Sequence, residues 1–262
     1  MPRPRSRRPS TRHTGRALPA DYDHVAAYRW ETTPSGSIDV ELSLPAWHVT
    51  HDQGRTQSCV GHAVVMERAV VNQMQREAAE GVVLSPNRYE PLALWRAAKA
   101  VDALSSDPDN DEDGTTLLAA YQVVRDTGLS DVLAMPLDPA TDKPVPLDPQ
   151  PPNPAEGVSA FRWATSVDEI RGALATGKPV AIGLRWYRAF DAPERWYGDA
   201  WIGPAAGPDK GFHAVCIYGA SDERQAVLVK NSWRSYPEVW MPYDTLGALL
   251  ADDGEAALVV DL

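Results

Sequence analysis

The sequence predicts an α+β protein with a helical front half, a strand-rich back half, and a cleft between these two subdomains as the place for an active site. Three observations carry this reading. Apolar residues recur at helical spacing through 59–128, they alternate or run in short blocks after 179, and the stretch between, 135–154, holds eight prolines. The 262 residues can bury a real core, and an apolar share of 44% excludes a wholly disordered chain.

The elements follow in order. Residues 1–37 lack periodicity and read as a disordered basic tail, with Arg3, Arg5, Arg7, Arg8, Arg12 and Arg16 and no acid before residue 17. No apolar stretch follows those arginines, which argues against a secretory signal and against a twin-arginine one. SIDVELSL (37–44) alternates as a strand does. Ser58 can cap a helix over 59–80, with Gly81 as its stop. In that helix Ala63, Val70 and Met74 share a face, and Glu67, Arg68 and Arg76 fall among the polar positions. LSPNRYEPLALWRAAKAV (84–101) reads as a second helix, entered from Ser85 and Pro86.

SSDPDNDEDG (105–114) reads as a solvated acidic loop. DNDEDG resembles the first half of a calcium loop, but the position that requires Glu is Ala120, so no metal is expected there. TTLLAAYQVVRDTG forms a third helix, capped by Thr115 or Thr116 and stopped by Gly128. The prolines of 135–154 exclude regular structure and mark a linker or long surface loop. SVDEIRGALATGK (166–178) opens with a capping box, Ser166 and Glu169. PVAIGLRW, FHAVCIYGA, QAVLVKNSW and AALVVDL read as strands.

Charge and cysteine usage bound the function. Net charge is −11, and without the tail's arginines residues 17–262 stand near −17. Such a body repels nucleic acid and anionic membranes, so neither is expected as a partner. No apolar run approaches the length that crosses a bilayer. Two cysteines in a chain of this length make no disulfide scaffold, and a reducing, cytoplasmic setting fits best.

Cys59 follows Ser58 at a predicted helix start, where unpaired N–H groups and the positive end of the dipole favour a thiolate. Cys216 lies in an alternating strand three residues after His213, faces away from it and reads as core. His62 could compete as a base or metal ligand, but two ligands make no zinc site, and it reads as a packing or surface histidine. His51 has no evident partner.

The segments around these residues resemble papain-like cysteine peptidases. DQGRTQSCVGHA (52–63) is similar to the family's nucleophile motif, with Gln53 six residues ahead of Cys59. GFHAVCIYGA (211–220) resembles its His-Ala-Val strand, and LVKNSW (228–233) its Lys-Asn-Ser-Trp segment, all three in the family's order. Weaker likenesses, particularly to bacterial members, extend the resemblance over about 38–250.

The resemblance implies a papain-like domain over 38–262: a helical subdomain (about 52–134), the Pro-rich connection (135–154) and a strand-rich, barrel-like subdomain (about 155–262). The strand near 38–48 would cross to join the latter. It implies a peptidase that attacks peptide or protein substrates through a thioester, without metal or organic cofactor. Cys59 would be the nucleophile, His213 the base and acid, Asn231 its orienter, and Gln53 the oxyanion donor beside the Cys59 N–H. Trp233 would shield the His213–Asn231 bond, and Gly114 would let substrate backbone lie close. A turn glycine before the third helix accounts for Gly114 equally well.

Departures from the family pattern bear on specificity: Val60 and His62 stand where aromatics are usual, Thr56 where a disulfide cysteine stands, and Arg234 where a glycine commonly follows Asn-Ser-Trp. A silent binding module and an acyl-transfer or amide-processing enzyme on the same fold stay open beside hydrolysis.

Overall fold

The apolar runs of the back half form strands because alternate side chains can be buried on the two faces of one sheet. The computed structural model describes residues 29–42, 52–54, 56–80, 89–103, 113–130, 137–138, 143–144, 151–233 and 235–260. In chain order the elements are β1 (Asp39–Glu41), α1 (Cys59–Glu80), α2 (Pro91–Val101), α3 (Leu117–Thr127), β2 (Leu137–Asp138) and β3 (Lys143–Pro144). The back half adds β4 (Phe161–Ala164), α4 (Val167–Ala175), β5 (Val180–Tyr187), β6 (Glu194–Trp196), β7 (Asp199–Trp201) and β8 (Asp209–Ser221). It closes with β9 (Ala226–Lys230), β10 (Val239–Pro242), α5 (Tyr243–Ala251) and β11 (Glu255–Val259). His51, Gly81, Ser85, Pro86, Arg234 and most of the acidic and Pro-rich loops lie outside the described residues.

Apart from the separate β2–β3 pair, the described strands make one sheet in the order β4-β11-β5-β8-β9-β10-β7-β6, with β1 on β8, and every pairing is antiparallel except β10 with β7. β8 is its axis. β5 covers it from Asp209 to Ile217, and β1 continues the same edge from Gly219 to Ser221. One face carries α1, α2 and α3 over small residues, Ala181, Ala214 and Ala257. The other face packs Ile182, Leu184 and Val227 against Ile170 and Leu174 of α4 and Leu246 and Leu249 of α5.

Several starts and stops follow the sequence. Thr116 Oγ1 accepts the Ala119 N–H at 3.1 Å, and Gly128 closes α3 with φ +83°. Ser166 Oγ accepts the Glu169 N–H at 3.2 Å. Glu169 reaches one residue further back than a capping box requires, to the N–H of Thr165 at 2.5 Å, and also takes Arg29.

Other expectations need correction. The second helix starts at Pro91, with Glu90 accepting the Leu92 N–H at 2.9 Å, because Glu90 precedes a proline and is held out of the helical region. The segment 29–36, read with the tail, is anchored: Trp30 N donates to Trp163 O at 2.7 Å, and Arg29 pairs with Glu169. Within 135–154, β2 pairs with β3 and a 3-10 turn forms at Pro154–Glu156, both at positions that need no proline N–H. Glu67 and Arg68 are buried, at 0% and 6% exposure, because α1 is enclosed by the sheet on one side and by α2 and α3 on others. Glu67 accepts the Tyr121 hydroxyl at 2.5 Å and the Val259 N–H at 2.6 Å.

Gly61 sets the spacing of the helical layer. A Cβ there would stand 2.2 Å from Pro91 O, so only glycine lets α2 begin against the first turn of α1. Among the described residues no helix is long and apolar enough to cross a membrane.

Candidate active site

Cys59 is the first residue of α1, where backbone N–H groups have no intrahelical acceptor. Its sulfur meets the N–H groups of Val60, of Cys59 itself and of Ala214, the residue that follows His213 on β8. The meeting of α1 with β8 therefore brings Cys59 to within one residue of His213. The third member comes from the end of β9. β8 and β9 pair with Cys216 opposite Lys230, so Asn231 stands just beyond the ladder on the His213 side.

His213 Nε2 and Asn231 Oδ1 are 2.8 Å apart. Chemistry fixes the proton: the Ser232 N–H donates to the same Asn231 atom at 2.7 Å, so that atom is the carbonyl oxygen and Nε2 must carry hydrogen. The lone pair of His213 is then on Nδ1. Trp233 stacks on the imidazole at 4.8 Å between centroids and 28° between planes. Trp186, a residue the sequence reading did not single out, meets the same ring edge-on at 4.9 Å.

Gln53 is tied to this segment rather than free in a loop. Its N–H donates to Ser232 O at 2.9 Å, its Oε1 accepts the Ser232 hydroxyl at 2.5 Å, and its Nε2 donates to Thr56 O at 3.0 Å. The second Nε2 hydrogen remains as a donor. Gly114 lies in the loop before α3, beside Asp113, whose carbonyl accepts Trp95 Nε1 at 3.2 Å. The neighbouring Thr115 hydroxyl and Thr116 N–H donate to Asp102 at 2.9 Å. The structure thus brings Cys59, His213, Asn231, Gln53 and Trp233 together through named contacts, whereas Gly114 is placed by α2 and α3.

Burial sets the electrostatics. Cys59 is 3% exposed and His213 7%. Burial pushes the Cys59 thiol up, and the N–H groups of Ala214, Val60 and Cys59 pull it down by less. The helix-start N–H groups act in the expected direction on the thiol, but its burial outweighs them. Burial likewise takes His213 down to about 4, against the upward pull of Asn231, while His62 and Lys210 add to the decrease. His62 is a core residue, 4% exposed, with Nδ1 2.9 Å from Ser58 O. Cys216 is fully buried in β8, and both cysteines are free. Among the described residues no group of His, Cys, Asp or Glu could hold a metal ion.

The helical layer over a mostly antiparallel sheet, with Cys59 at a helix start, His213 on β8 and Asn231 just past the end of β9, is the papain-like cysteine protease fold. The chain is similar to xylellain, a cysteine protease from Xylella fastidiosa, at 17% identity and TM-score 0.58, covering 89% of this chain and 98% of that one. It is also similar to procathepsin B S9 from Trypanosoma congolense, at 11% identity and TM-score 0.57, over 95% and 87% of the two chains. The Carica candamarcensis cysteine protease CMS1MS2, solved with E-64, matches at 16% identity and TM-score 0.54, over 86% and 99%. No protein-family model matches the sequence, and no curated protein does.

Proposed function

We propose that the protein is a cysteine-type peptidase that cleaves peptide bonds through a thioester. The observation that carries this reading is the pairing of a buried His213–Asn231 bond of 2.8 Å with a helix-start cysteine against Ala214 N–H. Cys59 gives its proton to His213 Nδ1, and the thiolate adds to the carbonyl carbon. Each charge alone is disfavoured by burial, but the thiolate and imidazolium form together, and their attraction in a dry site offsets part of that penalty. The oxyanion takes the Cys59 N–H and the spare Nε2 hydrogen of Gln53. As the C–N bond breaks, His213 returns its proton to the leaving amine; it then deprotonates the water that releases the acid product.

Asn231 holds the imidazole in its tautomer, and Trp233 keeps water from that bond. Gly114 would let a substrate backbone lie against the helical side of the cleft, between subdomains of about 52–134 and 155–262. Substrates on this reading are peptides or proteins, no cofactor is required, and two free cysteines support a reducing, cytoplasmic setting.

Near-complete burial of Cys59 and His213 favours one competing reading, a papain-fold binding module whose pair is never poised. Incubation with a mixed peptide library and mass analysis of products separates the readings. New peptides formed with the mass of one added water, and absent with Cys59→Ala, are the expected result. Products joined to added amines would indicate acyl transfer, and an unchanged library would favour the binding module.

A further inference from the structure

We propose that His62 is a positioning residue for the oxyanion hole, acting on the peptide unit whose N–H belongs to Cys59. The proposal rests on the peptidase reading and adds to it a residue type that the nucleophile motif does not supply at this place.

The Ser58 carbonyl and the Cys59 N–H are the two ends of one planar trans peptide, so whatever fixes the carbonyl fixes the direction of the N–H. Two donors fix it. The His62 backbone N–H lies 3.1 Å from Ser58 O, and the His62 ring Nδ1 lies 2.9 Å from the same oxygen. A carbonyl only accepts, so Nδ1 carries the hydrogen. Drawing electron density toward that oxygen also makes the N–H at the other end a stronger donor.

The arrangement continues beyond the peptide. His62 Nδ1 is 3.2 Å from Ser58 Oγ, Ser58 Oγ is 2.6 Å from Thr56 Oγ1, and Thr56 Oγ1 donates to Gln53 O at 2.7 Å. Each hydroxyl has one hydrogen, so the direction is determined: Thr56 gives its own to Gln53, and Ser58 gives its own to Thr56. The Thr56 N–H adds a second bond to Gln53 O at 3.1 Å, and the Gln53 amide returns to Thr56 O at 3.0 Å. Both oxyanion donors, the Cys59 N–H and Gln53 Nε2, are therefore held by a chain of hydrogen bonds that begins at the His62 ring. Burial at 4% exposure keeps water from competing for those bonds.

The test uses the full chain, fluorescein-labelled casein as substrate, and iodoacetamide, a small alkylator whose reaction at Cys59 forms no oxyanion. His62→Phe keeps a ring and removes the donor. The expected result is an about 10- to 30-fold fall in kcat with KM unchanged, because misplacing one oxyanion donor costs less than its removal, about 100-fold or more. Iodoacetamide alkylation of Cys59 should stay within about twofold, and His62→Asn, which presents an N–H where Nδ1 stood, should restore most of the turnover. Should His62→Phe fail to fold, Thr56→Val breaks the hydroxyl chain and is expected to lower kcat about fivefold with alkylation intact. Turnover unchanged in the variant that folds overturns the positioning role alone. So does alkylation that falls in step with turnover, since the ring would then support the thiolate or the packing. A wild-type protein that neither cleaves casein nor alkylates at Cys59 overturns the peptidase reading, and the positioning role falls with it.

Discussion

The two faces of the central sheet are held in different ways. Toward α4 and α5 the contact is aliphatic, with Ile170, Leu174, Ile182 and Leu246 all fully buried, and the charges around it are paired, as in buried Glu169 with Arg29 and Arg171 with Asp222. Toward α1 the contact contains Ser58, His62, Glu67 and Asn231, each buried and each holding a hydrogen bond, and His213, which lies opposite Leu184 on β5, is tied to it through Asn231. Burying polar groups costs stability unless each finds a partner. The first face is thus arranged for stability, and the second spends some of it on fixed polar geometry, which is what a reactive site needs.

Substitutions on the two faces should therefore separate activity from stability. The largest effect belongs to the polar face: His213→Ala is expected to lower kcat/KM for casein by about 10²- to 10⁴-fold while leaving the urea midpoint within experimental spread or higher, since it removes a buried polar ring. On the aliphatic face, Ile182→Ala should cost about 2–5 kcal/mol in urea unfolding, with kcat of the folded fraction unchanged. A variant of either face that moved both quantities together would break the distinction.

The pH dependence sharpens it. His62 and His213 are both taken down to about 4 by burial, so the unfolded chain binds protons before the folded one as pH falls. Above about 6.5 both rings are neutral in either state and this effect is absent; as pH falls toward 4 the folded state loses stability, on the order of 3 kcal/mol for each ring. Glu67 has the opposite sign. Burial pushes it up to about 7, against the hydrogen bonds from Tyr121 and Val259, so its contribution is present below about 4.5 and is lost as pH rises through 7. Urea titrations should show His62→Phe losing less stability than wild type between pH 7 and 4. Glu67→Gln should gain on wild type between pH 5 and 8, by a smaller margin because its amide nitrogen cannot accept the Tyr121 hydroxyl as Glu67 Oε2 does. Parallel pH profiles for the variants and wild type would contradict the assignment of these charges to the polar face.

Much of this face was legible in the sequence, for a physical reason. Cys59, Gln53, His213 and Asn231 were legible through the resemblance carried by three short segments, which keep their spacing because it is set locally, at a helix start, within β8 and just past β9. Thr116, Gly128 and Ser166 were legible in the same way, because a cap needs one particular side chain at one position. What could not be read depends on packing between distant segments. Glu67 and Arg68 look solvent-facing until α2 and α3 close over α1. Trp186 gives no local sign of meeting His213, since only the β5–β8 register brings them together. The β6–β7 hairpin and α5 escaped notice too: Tyr197 and Gly198 make its turn at φ +50° and +95°, and α5 begins without a side-chain cap. Ser232 was within reach, being part of the quoted Lys-Asn-Ser-Trp segment, but its bond to Gln53 joins residues far apart in the chain.

The central claim is that Cys59 and His213 act as one activated pair despite their burial. Treatment of the folded protein with an epoxide inhibitor of the papain type at pH 6–7, followed by intact mass, tests it most directly. A single adduct on wild type, absent from both Cys59→Ala and His213→Ala, is the predicted result. No adduct on a demonstrably folded protein, or an adduct on Cys59 that persists in His213→Ala, would contradict it.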